Sequence, residues 1–296
     1  MADARAVTQS LGGRWHGRYG AAPCPVCQPE GRRGQDALTL ADGRDGRLLA
    51  HCKRLGCAFA DIAAAAGLRS GDCRGPDPAE AARREAEGRA EAAKKARQAQ
   101  SLWREAQPIE GTPAARYLRE ARGLALERLP ATLRFDPACW HGATARRLPA
   151  MVALVEGGDG FAVHRTYLRP DGGGKAEASP AKAMLGAVAG GAVRLADGPG
   201  PLLVAEGIES TLAAFILRGD ATARAWAALS TSGLRGLRLP AEPGRLCIAP
   251  DGDAPGLAAA HSLAERAHAL GWRVTIAQPP AGADWADVAA GKAVPA

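Results

Sequence analysis

The chain has 296 residues, of which 47% are hydrophobic, so it is long enough for two or three domains with buried cores. Its 38 lysines and arginines outnumber its 31 aspartates and glutamates, and the net charge of +7 favours a polyanionic partner such as nucleic acid. The first residues lack the apolar stretch of a signal peptide, and no apolar run approaches the roughly 20 residues of a membrane span. We therefore expect a cytoplasmic protein without a membrane partner, in which the seven cysteines bind metal or stay as free thiols.

Two cysteine pairs lie in the first 72 residues. Two residues separate Cys24 from Cys27, and four separate Cys52 from Cys57, while the segment between the pairs has the pattern of a β-hairpin. Two thiolate pairs carried on turns of a small sheet make a tetrahedral zinc site, and zinc binding adds folding free energy to a region too small for a good core. The sequence therefore predicts a zinc-ribbon domain over residues 1–72.

Basic side chains are dense around these cysteines: Arg32, Arg33, Arg44, Arg47, Lys53 and Arg54. We expect them to contact DNA, with a solvated charged surface as the alternative. His51 competes as a zinc ligand, but we consider it weaker because the adjacent Cys52 already occupies that turn. Cys73, Cys139 and Cys247 are predicted to be unpaired.

Residues 73–109 form a charged linker. Their Ala, Glu, Lys and Arg content, with opposite charges at helical spacing, predicts a solvated spacer helix over residues 77–107. Residues 110–198 follow with one helix signal, from Thr112 to Gly123, and then short strand signals over 133–135, 151–155 and 161–168. We predict a mixed α+β subdomain here.

Residues 199–296 alternate strand and helix signals. Strands are predicted over 202–205, 225–229, 246–249 and 274–277, with helices over 208–218 and 256–270. This alternation is typical of a parallel sheet with helices on both faces.

Acidic residues follow two of these predicted strands. Glu206 comes directly after the first strand, and Asp251 and Asp253 follow the third. The carboxyl ends of parallel strands meet at one edge of a sheet, where α/β folds place their ligands. Converging carboxylates suit a hard divalent cation such as Mg²⁺ or Mn²⁺, and such a cation indicates metal-assisted chemistry on phosphates.

The Glu206-Gly207 and Asp251-Gly-Asp253 motifs resemble those of the Toprim domain, which primases, topoisomerases, some nucleases and recombination mediators share. The resemblance implies that Glu206 lies near the reacting group, where it holds another metal ion or assists deprotonation, and that the two aspartates bind Mg²⁺. The order of zinc ribbon, α+β region and Toprim domain is similar to that of bacterial-type DNA primases, particularly their phage and plasmid relatives. The implied fold class is α/β: a Toprim-type sheet preceded by a mixed α+β subdomain and an N-terminal zinc ribbon.

Three basic residues of the middle region extend this resemblance. Arg147, Arg165 and Lys182 stand where primases carry the cations that bind nucleotide phosphates or the template. Thr112 begins a helix that is similar to the one opening the primase catalytic core.

The chain also departs from the primase pattern. Replicative primases usually have an aspartate four residues after the Toprim glutamate, where this chain has Ser210. The substitution removes one metal ligand or shifts it to the neighbouring Glu209. Asp284 and Asp287 resemble a further acidic segment of the family, which either closes the site or caps the last helix through Asp284.

The resemblance implies a DNA-directed RNA polymerase that makes short RNA primers on single-stranded DNA from ribonucleoside triphosphates. Because the sequence has no ATPase-type phosphate-binding loop, we expect a separate replicative helicase to unwind the duplex. Two alternatives remain open: a Toprim nuclease, and a non-catalytic Toprim protein of recombination that binds DNA. A topoisomerase is disfavoured, because the three tyrosines all precede the Toprim region.

Overall fold

The computed structural model describes residues 3–31, 34–43, 46–68, 78–280 and 282–291. The chain divides into two compact units, residues 1–90 and residues 91–296. None of the helices in the described ranges combines the length and the apolar character needed to cross a bilayer.

The first unit is a small antiparallel sheet flanked by two short helices. Its elements are α1 (Ala4–Ser10), β1 (Arg14–Trp15), β2 (Gly20–Ala22), β3 (Leu38–Asp42), β4 (Leu48–Cys52) and α2 (Phe59–Ala65), with the strands paired in chain order. Leu38, Leu40 and Leu48 alternate toward one face of the sheet and pack against Val7 and Ile62 of the helices. The hairpin expected between the cysteine pairs is present as β3 and β4.

Helix α3 (Pro78–Glu105) has the composition of a solvated helix over most of its length. Exposed ion pairs at i,i+4 spacing lie along it: Arg83–Glu87, Glu85–Arg89 and Glu91–Lys95. Its last turns are different, because Ala99 is buried and Leu102 and Trp103 pack on the sheet of the second unit. The C-terminal end of the helix is therefore part of a core, whereas the sequence suggested a spacer throughout.

The second unit begins with a five-stranded antiparallel sheet. Its strands are β5 (Gln107–Pro108), β6 (Leu133–His141), β7 (Arg146–Val155), β8 (Ala162–Tyr167) and β9 (Lys182–Gly186), again paired in chain order. Helix α4 (Pro113–Arg116) starts at the Thr112 N-cap and continues into a π-helical turn, Tyr117–Ala121. We call these strands the middle sheet.

The remaining strands form a mainly parallel sheet with helices on both faces, as predicted. The strand order is β10 (Val193–Ala196), β12 (Arg224–Ala227), β11 (Leu202–Ala205), β13 (Arg245–Ala249) and β14 (Arg273–Ile276), and only β10 runs antiparallel. The helices are α5 (Ile208–Arg218), α6 (Thr231–Gly236), α7 (Ala254–Ala269) and α8 (Trp285–Ala289). All four residues of β11 are buried, because α5 and α8 cover one face while α6 and α7 cover the other.

Candidate functional site

The four predicted zinc ligands meet in the first unit. Cys24 and Cys27 lie in the turn after β2, Cys52 ends β4, and Cys57 follows one turn later. Their four sulfur atoms all lie within 4.8 Å of one another, and the Sγ atoms of Cys27 and Cys52 are 3.5 Å apart. A tetrahedral zinc ion with Zn–S bonds of about 2.3 Å requires sulfur separations of about 3.8 Å. The cluster therefore fits a zinc ion with little rearrangement.

Backbone hydrogen bonds favour the thiolate form of one of these cysteines, which is the form that binds metal. The backbone N–H groups of Leu55, Cys57 and Arg54 hold the pKa of Cys52 at about 5, so this residue is a thiolate at neutral pH. Burial and the neighbouring thiols raise the pKa of Cys27 to about 12. A metal ion must displace that proton, which makes binding dependent on pH.

Several residues near the cluster were predicted to bind zinc or DNA. His51 is exposed and alternates to the face of β4 opposite Cys52, so it is outside the cluster. Arg47, Lys53 and Arg54 are exposed. Their contact with DNA stays a prediction. The other expected basic contacts and the remaining N-terminal cysteine fall outside the described residues: Arg32, Arg33, Arg44 and Cys73.

Three carboxylates follow two neighbouring strands of the parallel sheet. Glu206 comes after β11, and Asp251 and Asp253 come after β13, whose last residue Ala249 pairs with Ala205. Burial raises the pKa of Glu206, and the charges of Asp251 and Asp253 raise it further. Burial also raises the pKa of Asp251, beside Asp284 and Asp253. A bound cation would relieve this repulsion, so these carboxylates suit a metal site.

The three carboxylates are spread more widely than the four zinc ligands. Among the described residues, only the four cysteines place three or more potential metal-binding atoms within 4.8 Å of one another. One oxygen of Asp253 accepts the Gly256 N–H at 2.7 Å as the N-cap of α7, and one oxygen of Asp251 accepts the Ser210 hydroxyl at 3.0 Å. A site with one remaining oxygen per aspartate suits Mg²⁺, which keeps several waters when protein carboxylates bind it.

The loop between the two aspartates is held tightly. The Gly252 N–H donates to the Ala283 carbonyl at 2.8 Å, and a Cβ at this position would lie 2.5 Å from the Pro280 carbonyl oxygen. Trp285 Nε1 donates to the Pro250 carbonyl at 3.1 Å. Glycine is therefore required between the aspartates because another backbone segment approaches so closely.

Asp284 caps the last helix, which is one of the two roles that the sequence left open, and its role in closing the site stays a prediction. One of its oxygens accepts the Asp287 N–H at 2.7 Å and caps α8. The other is 3.5 Å from the Arg122 guanidinium. Its charge also acts on Asp251, so Asp284 lies at the margin of the acidic site.

Glu209 is buried, at 3% exposure, in a group of cationic and polar side chains. The Tyr117 hydroxyl donates to Oε1 at 2.8 Å, Lys182 Nζ donates to Oε2 at 3.1 Å, and Lys175 Nζ lies 3.8 Å from Oε1. Burial alone would raise the pKa of Glu209, but the charges of Lys182 and Lys175 outweigh it and hold the pKa at about 2. Glu209 is therefore an anion in an electropositive pocket.

The three predicted phosphate-binding cations are not brought together. Lys182 pairs with Thr166 across β8 and β9, and its charge partly offsets the rise that burial causes in the pKa of Glu206 and Asp251. Arg165 is the neighbour of Thr166 in β8 and therefore points to the opposite face of the middle sheet. There its guanidinium donates to the carbonyls of Trp140 and Met184, each at 3.2 Å.

Arg147 is exposed at the start of β7. Its guanidinium donates to the Ala138 carbonyl at 3.0 Å. The roles of Arg147, Arg165 and Lys182 toward phosphate stay predictions.

Several residues beside the acidic edge escaped the sequence analysis. Lys175 follows a glycine run that lacks the spacing of a phosphate-binding loop, and Tyr117 is 92 positions from Glu209. His164 is buried, and burial together with the charge of Lys182 lowers its pKa to about 4, so it is neutral. Arg122 reaches Asp284 from the end of the π-helical turn. No local spacing rule connects these positions, so no signal in the sequence would have found them.

Comparison with known protein families assigns both parts of the second unit. Residues 201–293 match the Toprim domain (Toprim_3), and residues 93–195 match a domain of unknown function (DUF7146). The predicted Toprim fold is thereby confirmed. Among curated protein sequences, no relative of this chain was found.

Solved structures of primases resemble the chain at low identity. A DNA primase domain from Pseudomonas aeruginosa is 18% identical over 65% of this chain and 71% of that chain, with a TM-score of 0.39. The zinc-binding and RNA polymerase domains of the Aquifex aeolicus primase are 11% identical over 98% of this chain and 83% of that chain, with a TM-score of 0.40. The primase fragment of the bacteriophage T7 primase-helicase protein is 12% identical over 92% of this chain and 94% of that chain, with a TM-score of 0.31.

Proposed function

We propose that this chain, whose residues 201–293 form a Toprim domain, is a DNA primase. It makes short RNA primers on single-stranded DNA by nucleotidyl transfer that depends on Mg²⁺ or Mn²⁺. One observation carries the proposal: Glu206, Asp251 and Asp253 share one edge of the parallel sheet, within electrostatic reach of Lys182. Transfer of a nucleotide requires carboxylates that hold a cation and a nearby positive charge that attracts phosphate.

The acidic residues have distinct roles in this proposal. Asp251 and Asp253 hold the cation through the oxygens that their hydrogen bonds to Ser210 and Gly256 leave available. When bound, the cation neutralises charge on the triphosphate and on the pyrophosphate that leaves. Glu206 accepts the proton of the attacking 3′-hydroxyl as the new bond to the α-phosphorus forms. Burial raises the pKa of Glu206, which makes it a better base than an ordinary carboxylate.

The two lysines supply the positive charge of the site. Lys182 and Lys175 are both about one-third exposed and share one carboxylate, so their ammonium groups can still donate to a ligand. We assign them to the phosphates of the incoming ribonucleoside triphosphate. Ammonium groups stabilise phosphates by charge and by hydrogen bonds, since each carries three donors.

The zinc ribbon contacts the single-stranded template in this proposal. The exposed Arg47, Lys53 and Arg54 are suited to phosphate contacts, which give an affinity that falls as salt rises. We assign duplex unwinding to a replicative helicase as a partner of this chain.

The experiment is a primer-synthesis assay on single-stranded DNA with labelled ribonucleotides and Mg²⁺ or Mn²⁺. The test variant is Asp251→Asn/Asp253→Asn, and the matched control is Asp159→Asn/Asp220→Asn, which changes one exposed and one half-buried aspartate. We expect short RNA products from the wild type and the control, and none from the test variant. Equal product from all three proteins would show that the acidic edge does not carry the activity.

The same proteins separate the alternative functions. Incubation of labelled DNA with Mg²⁺ and no nucleotides tests the nuclease, which would degrade the DNA through the same carboxylates. A protein that binds single-stranded DNA yet neither degrades it nor extends primers would be a non-catalytic DNA-binding protein. Either result would replace the primase proposal.

A further inference from the structure

We propose that Glu209 is a positioning residue that holds Lys175 and Lys182 side by side at the acidic edge, and that it does not bind the metal. The inference rests on the proposed primase function, in which both lysines contact the nucleotide. It also assigns a role to the acid next to Ser210.

The contacts of Glu209 come from three separate parts of the second unit. Tyr117 belongs to the π-helical turn, Lys182 begins β9, and Lys175 lies in the loop between β8 and β9. Each lysine has its own carboxylate oxygen, Oε2 for Lys182 at 3.1 Å and Oε1 for Lys175 at 3.8 Å. One buried side chain thus fixes two long and flexible side chains.

The two lysines need such an anchor. Both are about one-third exposed, so solvent is open to either ammonium group. Their like charges repel, and burial together with Lys182 lowers the pKa of Lys175. A shared anion between them offsets that repulsion and leaves the group with a net positive charge toward a phosphate ligand.

The same contacts argue against Glu209 as the relocated metal ligand. Tyr117 and Lys175 engage Oε1, and Lys182 engages Oε2. A divalent cation would have to displace a lysine and then sit beside two positive charges. The position of the usual aspartate is filled differently, because Ser210 donates its hydroxyl to Asp251.

The experiment compares Glu209→Gln with the control Glu110→Gln. Glu110 also accepts hydrogen bonds from a cationic side chain, Arg119, and from the Leu129 N–H, and neither partner belongs to the proposed site. Three quantities are measured: the KM for ribonucleotide against kcat, the affinity for a non-hydrolysable fluorescent nucleotide, and the affinity for Mn²⁺ by electron paramagnetic resonance. Acylation of lysines, mapped by mass spectrometry, reports directly on the two ammonium groups.

We expect Glu209→Gln to weaken nucleotide binding by about tenfold or more, as a lost charge pair does, while Mn²⁺ affinity stays unchanged. Lys175 and Lys182 should be acylated faster in this variant. Glu110→Gln should leave all of these quantities unchanged. The effects of Glu209→Gln and Lys182→Met should combine to less than the product of the two, because both act through the same ammonium group.

A milder variant keeps the test informative if Glu209→Gln does not fold. Tyr117→Phe retains every charge and removes one hydrogen bond to Glu209, so we expect a smaller loss of nucleotide affinity in a folded protein. Glu209→Asp keeps the charge and should restore part of the affinity that the glutamine variant loses.

Two results would overturn the inference. A loss of Mn²⁺ affinity in Glu209→Gln that equals the loss of nucleotide affinity would identify a metal ligand. Unchanged nucleotide affinity and lysine acylation in a folded variant would show no positioning role. If the wild type makes no primer but its nucleotide affinity still depends on Glu209, the positioning role stands and the primase function fails.

Discussion

Chelation of zinc is expected to unfold the first unit and to leave the second unit folded. Among the described residues, the first unit has five buried apolar side chains larger than alanine, apart from its cysteines, while Leu11, Trp15 and Leu68 are partly buried. The five buried side chains are Val7, Leu38, Leu40, Leu48 and Ile62. At about 1.5–3 kcal/mol each, their burial contributes roughly 10 kcal/mol. A structural zinc ion contributes about 10–16 kcal/mol, which exceeds the net stability of most small domains. Loss of the metal should therefore unfold the ribbon completely.

The assay combines zinc analysis with limited proteolysis. The purified wild type should carry one zinc ion per chain and resist trypsin, whereas a chelator should expose the sites before residue 78 while a fragment of the second unit persists. Cys52→Ser should behave like the chelated protein. Cys139→Ser is the control, because Cys139 is a buried thiol in the middle sheet, outside the cluster. Metal affinity should also fall as the pH drops, because binding displaces the proton of Cys27.

Three outcomes would refute this reasoning. A purified wild type without zinc, or a chelated protein whose first unit stays protected from trypsin, would show that the core suffices. Loss of zinc from Cys139→Ser would show that the ligand set is wrong.

Three further predictions concern the acidic edge. The pKa values of Glu206 and Asp251 are raised in the folded state, so folding favours their protonated forms. Their contribution to the stability of the protein is therefore complete below the ordinary carboxyl pKa and is lost as the pH rises through the raised values. Without metal, the melting temperature of the second unit should therefore decline over that window more in the wild type than in Asp251→Asn. Mg²⁺ at a hundredfold excess over its Kd should add about 2.7 kcal/mol to the free energy of unfolding of the wild type. A melting temperature that does not change with Mg²⁺ would contradict the metal site. Ser210→Ala removes the hydroxyl that donates to Asp251. It should lower the free energy of unfolding by about 1 kcal/mol at neutral pH, as measured by urea unfolding. Equal urea midpoints for the two proteins would show that this hydrogen bond does not stabilise the fold.

The sequence was sufficient to predict those features of the structure that depend on local physical rules. The spacing of Cys24 and Cys27 predicts a turn that presents two sulfur atoms to one point, and the structure brings all four sulfur atoms together. The alternation of strands and helices after residue 199 predicts the parallel sheet, and strand ends then place Glu206 near Asp251. These conclusions depend on neighbours in sequence and on one general property of parallel sheets.

Only the tertiary structure decided which side chains surround the acids. Arg165 follows His164 in β8, and the two-residue period of the strand sends it to the face opposite Lys182. Glu209 stands three positions after Glu206, yet its partner Tyr117 comes from a turn 92 positions away. The pairing of the middle sheet and its packing on α5 determine these contacts. A charged side chain takes the partner that the fold supplies, and that partner need not be close in sequence.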